Sequence, residues 1–338
     1  MGKRWWTFRI IALALHAIAG QAAALPTELM RQIGRAGERL ALEVDEDAWD
    51  HLRKTGSLEV TAFPVGDSRS IDILLERFQP FSPGAQIQMG DEPAVLIDAT
   101  AIPVIFRGVS GDTIVILVER SGGLEGFVEH SGKRWAIEID PTRVPASHAL
   151  VPIAPATRSS AAPHRTRYLD APASDSPMQA LAGSTYSGPL QVEAAFDVSL
   201  QLYTAFGSRE ADVITYVGIL VAVHSAPLFN AAGVTLTCVF VHVWTDASMP
   251  YNAAATEYDE VLDQFEAYWN ENFSLVRRDV AFLLWNDNDG GISVAPSACR
   301  PRTAYGLADV NLGSLFFQYG AFGHELGHIW SYPGFVDT

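Results

Sequence analysis

Phe322-Gly323-His324-Glu325-Leu326-Gly327-His328-Ile329-Trp330 carries the most chemical information in the chain, and the other segments are read outward from it. Two histidines stand four apart, with a glutamate directly after the first. On an α-helix, residues four apart share one face, so both imidazoles point at the same place. Neutral imidazole nitrogens are good zinc ligands, and two of them one turn apart supply half of a tetrahedral site. Glu325 is offset around the helix, where it can hold and deprotonate a zinc-bound water without filling a ligand position. The spacing therefore points to His324 and His328 as metal ligands, Glu325 as general base, Zn2+ as cofactor, and hydrolysis of a peptide carbonyl. A solvated surface helix is the competing reading. The flanks oppose it, because Leu315, Phe316 and Phe317 precede the motif, and glycines and aromatics rather than charges surround it. Buried His, Glu and His need partners, and a metal supplies one for all three.

The chain has 338 residues, of which 48% are apolar, enough for two domains with sizeable cores. Its formal charge of −16 argues against nucleic acid as a partner, because binding there needs a basic face to displace counterions. Residues 1–24 read as a signal peptide. Lys3, Arg4 and Arg9 form the charged start, Ile10 to Ala19 the apolar middle, and Ala22-Ala23-Ala24 the cleavage site. That apolar run is about half the length of a membrane span, so the expectation is a secreted protein, extracellular or periplasmic, with no stable membrane anchor after cleavage. The two cysteines, Cys238 and Cys299, either pair with each other or leave one to await an external partner, and Cys238 also suits plain core filling. No cysteine lies in the N-terminal part, which excludes a thiol there as a zinc-blocking group.

Residues 25–140 read as a β-rich module. Ser57 to Phe63, Ala94 to Ile97, Thr113 to Val118 and Trp135 to Ile139 have strand character, and Gly122-Gly123 and Ser131-Gly132 suit hairpin turns. A short helix is expected around Thr27 to Glu38. Residues 141–187 are rich in Pro, Ala, Ser and Thr and read as a linker, with Arg158, Arg165 and Arg167 offering sites for proteolytic nicking. Residues 188–338 alternate strands and helices. Strands are expected at Leu190 to Ala195, Val234 to Val243 and Asp279 to Trp285, and helices at Ser199 to Phe206 and Glu210 to Ser225, the latter stopped by Pro227. A further helix carries Tyr258, Val261, Leu262, Phe265 and Trp269 on one stripe, with Thr256 and Asp259 as its capping pair. Asn286-Asp287-Asn288-Asp289-Gly290-Gly291 reads as a polar hairpin turn rather than a calcium loop, since no glutamate completes it. His224 and His242 read as core histidines on apolar elements. The fold class expected is α/β, a mixed sheet with helices packed on it.

Laid out in this order, the chain resembles the secreted bacterial reprolysin-like (adamalysin-type) metzincin zinc metalloproteases from about residue 90 to 333. Phe106-Arg107-Gly108, the run from Gly122 to Phe127 and Trp135-Ala136-Ile137-Glu138 are similar to the family's propeptide. Leu202-Tyr203 with Phe206-Gly207, Val241-His242-Val243-Trp244, Tyr268-Trp269-Asn270, Arg278-Asp279, and Cys299 with Tyr305-Gly306 are similar to its catalytic part. His324 to His328 match the zinc helix, and Trp330 its aromatic position. The resemblance implies a metzincin-like catalytic domain, with long helices and a zinc helix, behind a β-rich prodomain. It implies a zymogen whose substrate is a protein or peptide and which hydrolyses peptide bonds through a zinc-bound water.

The family pattern continues with a glycine three residues after the second histidine and a third ligand, usually His, six after it. Ser331 and Gly334 stand at those places, while Pro333 agrees with the pattern. Gly334 has no side chain to offer a metal, which leaves Asp337 as the nearby alternative. The methionine turn of the family does not follow, and the resemblance implies that Cys299 loses its downstream partner. The expectation is a catalytic domain incomplete at its C-terminus. The alternative is a degenerate, non-catalytic protease-like protein that binds a ligand or partner. A clan that takes a later-helix glutamate as third ligand fits less well, because no such helix follows.

Overall fold

Alternating apolar and polar residues in the first half, and continuous apolar runs in the second, give a strand-rich mixed α/β protein. The structure, a computed structural model, describes residues 27–67, 69–120, 123–140, 147–153, 165–168, 190–251, 258–286, 290–310 and 319–330. The first half supplies β1 (Met30–Ala36), β2 (Arg39–Val44), α1 (Glu46–Thr55), β3 (Ser57–Pro64), β4 (Ser70–Phe78), β5 (Phe81–Met89), β6 (Val95–Leu96), β7 (Ile105–Ser110), β8 (Thr113–Arg120), β9 (Gly123–His130), β10 (Lys133–Asp140) and β11 (Ser147–Ile153). Nine of these strands form one antiparallel sheet, in the order β1-β2-β11-β10-β9-β8-β7-β4-β3. The sheet curls towards closure: Thr27, just before β1, donates to Glu59 O at 3.1 Å and accepts from Thr61 N at 3.1 Å on β3.

Side-chain alternation gives the central strands of this sheet, β7 to β9, two apolar faces. Phe106, Val115, Leu117, Val128 and Trp135 pack with Trp49 and Leu52 of α1. Ile105, Ile114, Ile116, Val118 and Phe127 point the other way, into a second core. Asp45 caps α1 by accepting from Ala48 N at 2.8 Å, and Gly56 ends it in the left-handed region at φ 78°.

The second half adds β12 (Arg165–Tyr168), β13 (Leu190–Val198), α2 (Leu200–Ala205), α3 (Glu210–Ala232), β14 (Val234–Val243), α4 (Tyr258–Asn272), β15 (Val280–Trp285), β16 (Gly291–Ala295), β17 (Tyr305–Asp309) and α5 (Tyr319–Trp330). The second sheet runs β12-β16-β17-β15-β13-β14-β5-β6. β13, β14, β15, β17 and β5 are mutually parallel, whereas β16 is antiparallel to β17. Every residue of β15 is buried, because helices cover both faces. Val280, Phe282 and Leu284 face the core that holds α3 and α5, and Ala281, Leu283 and Trp285 face α4 with its Phe265 and Trp269. α3 is apolar right round and is buried between the two sheets: Phe196 and Leu236 lie on one side of its core, Ile116 and Phe127 on the other. No helix among the described residues is long and apolar enough to cross a membrane.

One irregularity sets the side-chain parity of β14. Ala194 pairs with Cys238 but Ala195 pairs with Phe240, so Val239 is an extra residue in the ladder. Leu236 and Cys238 before it, and Val241 and Val243 after it, all face α3. A two-residue repeat would have put 241 and 243 on the opposite face. The bulge thereby directs His242 to the α4 side, directly beside Asp197 in register.

Several sequence expectations differ from this architecture. Residues expected as a helix at Thr27 to Glu38 form β1, because pairing with β2 outweighs local propensity. Ala94 to Ile97 contributes only Val95–Leu96 as strand. β5 and β6 lie in the stretch read as the N-terminal module yet extend the second sheet. β11 and β12 lie inside the stretch read as linker; β11 joins the first sheet and β12 the second, parallel to β16. α3 runs past Pro227 to Ala232, because the largely buried run from Val213 to Ala226 ahead of it holds the helix despite one lost amide donor. Asn286 to Gly291 does not close a hairpin, since β17 lies between β15 and β16. The signal peptide, Thr256 and residues 331–338 lie outside the described residues.

Deleting Val239 removes the bulge and turns the halves of β14 against each other, so denaturant unfolding is expected to show loss of about 4 kcal/mol or more. The half-buried Val239→Ala variant should lose about 1 kcal/mol or less. Equal stability of both variants would mean that the bulge does not set the parity.

Candidate metal centre

The geometry of α5 follows from which of its residues are apolar. Phe322, Leu326 and Ile329 form a stripe at i, i+4 and i+7 and are buried in the core that includes Phe196 and Phe282. Phe322 packs on Phe282 at 4.5 Å between centroids and on Phe196 at 5.7 Å. The backbone amides of Ser297 and Ala298, just after β16, donate to Ile329 O at 3.0 and 3.2 Å and secure the helix end. With that stripe fixed, His324 and His328 fall together on an adjoining face.

Their Nε2 atoms converge at 3.0 Å, with the rings close to perpendicular at 85°. His328 is buried and His324 half-buried. Two neutral imidazole nitrogens aimed at one point repel unless a proton or a cation lies between their lone pairs. At 3.0 Å the two nitrogens are within hydrogen-bond distance, and tetrahedral zinc with bonds of about 2.0–2.1 Å would hold them about 3.3 Å apart, so a small opening of the pair admits a metal. Among the described residues no group of three or more His, Cys, Asp or Glu side chains is placed to hold a metal. Gly334 and Asp337, the positions considered for a third ligand, lie outside the described residues.

Glu325 borders the apolar stripe and is fully buried. Ser293 Oγ on β16 donates to its Oε2 at 2.7 Å. Strand alternation explains this meeting: Ile292 and Val294 face α4, so Ser293 and Gly291 face α5. Gly291 is where the carboxylate comes close to the sheet, since a Cβ there would lie 2.7 Å from Glu325 Cγ and 2.9 Å from Oε1. The sequence singles out neither residue: Gly290-Gly291 read as turn residues, and Ser293 carries no reading at all. The nearest available signal was the polar residue in an otherwise apolar run from Ile292 to Ala295.

His224 and His242 do not join this pair. His224, on α3, packs edge-on to Phe322 at 4.9 Å, and a Cβ on Gly323 would lie 2.6 Å from its Cε1. His242 Nδ1 lies 3.3 Å from Asp197 Oδ1 and its Nε2 3.2 Å from Gly90 O, on the α4 side of the sheet. Both cysteines are free. Burial pushes both thiols up, and the neighbouring carboxylate of Asp279 adds to this at Cys299.

No family model matches the sequence, and no curated protein does. A solved structure, metalloproteinase-II from Bacteroides fragilis, is similar over 84% of this chain and 84% of its own, at 14% identity and a TM-score of 0.38. A likeness of that degree carries no argument about the site.

Alanine normally stabilises a helix interior relative to glycine, yet Gly323→Ala should destabilise the fold by about 1–3 kcal/mol, since the His224 ring fills the space. Thermal or denaturant unfolding measures this, and a paired His224→Ala change should relieve it. A gain in stability from Gly323→Ala alone would show that the ring does not sit against the helix.

Proposed function

We propose that this protein is a secreted precursor of a zinc-dependent metalloendopeptidase of the reprolysin-like metzincin type. The observation that carries the reading is the convergence of His324 and His328 Nε2 at 3.0 Å beside a buried, hydroxyl-anchored Glu325. His324 and His328 would hold the zinc through those nitrogens. When bound, zinc supplies a Lewis acid that polarises a peptide carbonyl and makes water more acidic. Glu325 would take the proton from the attacking water and pass it to the departing amide nitrogen. Ser293 fixes one oxygen of that carboxylate by donating to Oε2. The packing of Phe322, Leu326 and Ile329 keeps the helix, and so both imidazoles, in place.

β12 supports a zymogen reading. It pairs parallel with β16, Thr166 opposite Ser293, so it occupies the strand edge next to the base's anchor. Arg167 ties it to α4 by donating to Asp263 Oδ1 at 2.6 Å and Asp259 O at 3.2 Å. Latency would then be steric, and scission in residues 141–187 would let β12 leave that edge. Export would follow from residues 1–24. Glycine at 334, where the resemblance expects a ligand, favours a second reading, a non-catalytic protease-like binding protein.

Zinc content and casein hydrolysis of the 25–338 protein after scission within residues 141–187, with and without chelator, separate the two readings. One zinc per chain and chelator-sensitive cleavage are expected, and neither being found would leave the binding protein. Glu325→Gln should keep the zinc and lose about 10²–10⁴-fold in cleavage rate. Unchanged turnover in that variant would remove Glu325 as the base. Ser293→Ala should lower kcat about tenfold with zinc content unchanged; loss of zinc instead would make Ser293 a structural support of the helix.

A further inference from the structure

Residues 27–153 meet the rest of the chain in more than one way, and each contact is of a kind found inside a fold. The first is the cover of α3. Its residues Val213, Ile214, Val217 and Leu220 are all completely buried, in a core shared with Phe81, Ile105, Ile116 and Phe127 of the N-terminal part. The approach is close: at Gly218 an added Cβ would lie 3.2–3.4 Å from Pro103, Phe81 and Pro80. Removing the N-terminal part would bare one side of a helix that has no polar side to turn outwards.

The second contact is a shared sheet. β5 adds to the edge of β14 by parallel pairing of Gln86–Met89 with Phe240–Val243, and, across a register shift, of Phe81 with Cys238. Cys238 N donates to Pro80 O at 2.8 Å and Gly90 N to Val243 O at 2.8 Å, extending the pairing at both ends. Without β5, an apolar parallel strand would present an open edge. The third is polar and buried. His242 lies between the Gly90 carbonyl and the Asp197 carboxylate, at 3.2 and 3.3 Å. Asp197, itself completely buried, also accepts from Tyr251 OH at 2.8 Å and from Trp269 Nε1. Loss of Gly90 would leave a buried ring nitrogen without its acceptor.

None of these contacts involves the backbone between Ile153 and Arg165. We infer that the N-terminal part is a retained subunit rather than a detachable cover: after scission between Ile153 and Arg165, the two fragments remain one noncovalent complex. The surface that holds it is the outer side of α3 together with the β14 edge, and its partner is this chain's own residues 27–153. Scission alone would then free the connection to β12 without baring α3, and separation would require unfolding or degradation of the N-terminal fragment. The inference is independent of the peptidase reading, because it concerns association and not hydrolysis.

The test uses the 25–338 protein with a recognition sequence for a site-specific protease inserted between Ile153 and Arg165, carrying Glu325→Gln to prevent self-digestion. After complete cutting, size-exclusion chromatography with light scattering should give one species with the mass of the uncut protein, and its fragments should part only in denaturant. Separate elution of the fragments in native buffer, or precipitation of one while the other stays in solution, would overturn the proposal. Phe81→Ala in the cut protein should weaken reassociation of refolded fragments by about 100-fold, whereas Leu275→Ala, at a side chain 98% exposed, should leave it unchanged. Equal effects of the two substitutions would remove α3 and the β14 edge as the holding surface.

Discussion

The constraint on which the rest depends is the apolar character of α3 on every side. A helix of this kind has no stable position at a surface, so it requires cover all round. The second sheet supplies one side through Phe196 and Leu236, and the first supplies the other through Ile116 and Phe127. The first sheet is antiparallel and would ordinarily leave one face to water, but here both faces carry large apolar residues. The two halves thus meet through complementary demands: a helix without a polar side and a sheet whose central strands, β7 to β9, carry large apolar residues on both faces. α5 takes its place on the same side of the second sheet, with Phe322 between Phe196, Phe282 and His224. The position of the histidine pair is therefore tied, through α5, to the packing of α3.

The opposite side of the second sheet follows a different rule, because it buries charge. Asp197 stands at the end of β13 in an aromatic surround that includes Trp244, Tyr251 and Trp269. An isolated carboxylate there would be very costly to bury. It is matched by the hydroxyl of Tyr251 and the indole N–H of Trp269, which donate to it, and by the His242 ring alongside, all three from separate segments of chain. The one from β14 is available only because the bulge at Val239 turns His242 to that side. Burial and the neighbouring carboxylate together push the Tyr251 phenol well above its ordinary range, which keeps it a donor to Asp197. A backbone irregularity in one strand thus answers an electrostatic need in its neighbour.

Much of this was legible in the sequence, for identifiable reasons. Long apolar runs in β14 and β15, the stripe on α4 and the four-residue spacing on α5 are local patterns, and each element lies where its pattern predicts. What the sequence concealed depends on pairing across distance. β1 resembles a helix until β2 is beside it, and β11 and β12 resemble linker because their composition is that of a linker, yet each finds a sheet edge. β5 belongs with the N-terminal module by proximity in the chain, whereas its partner β14 lies about 150 residues further on. Ser293 and Gly291 were invisible for the same reason: nothing in a serine or a glycine on a strand announces that a glutamate from another element will lie against it.

Glycine use around α5 shows how the demands on that helix conflict. A glycine inside a helix costs about 1 kcal/mol relative to alanine, and Gly323 sits directly beside the histidine pair. Its neighbour explains it, since the His224 ring occupies the place of a side chain. Gly291 has the matching role across the gap, where a Cβ would collide with Glu325. Both positions therefore exchange local stability for closeness: one lets α3 approach α5, and the other lets α5 approach β16. A helix held this tightly on two sides can keep a pair of imidazoles aimed at one point and a carboxylate anchored beside them, and rigid placement of that kind is what a metal-dependent site requires. The residues that make the chemistry possible on this reading are thus as much the ones without side chains as the histidines themselves.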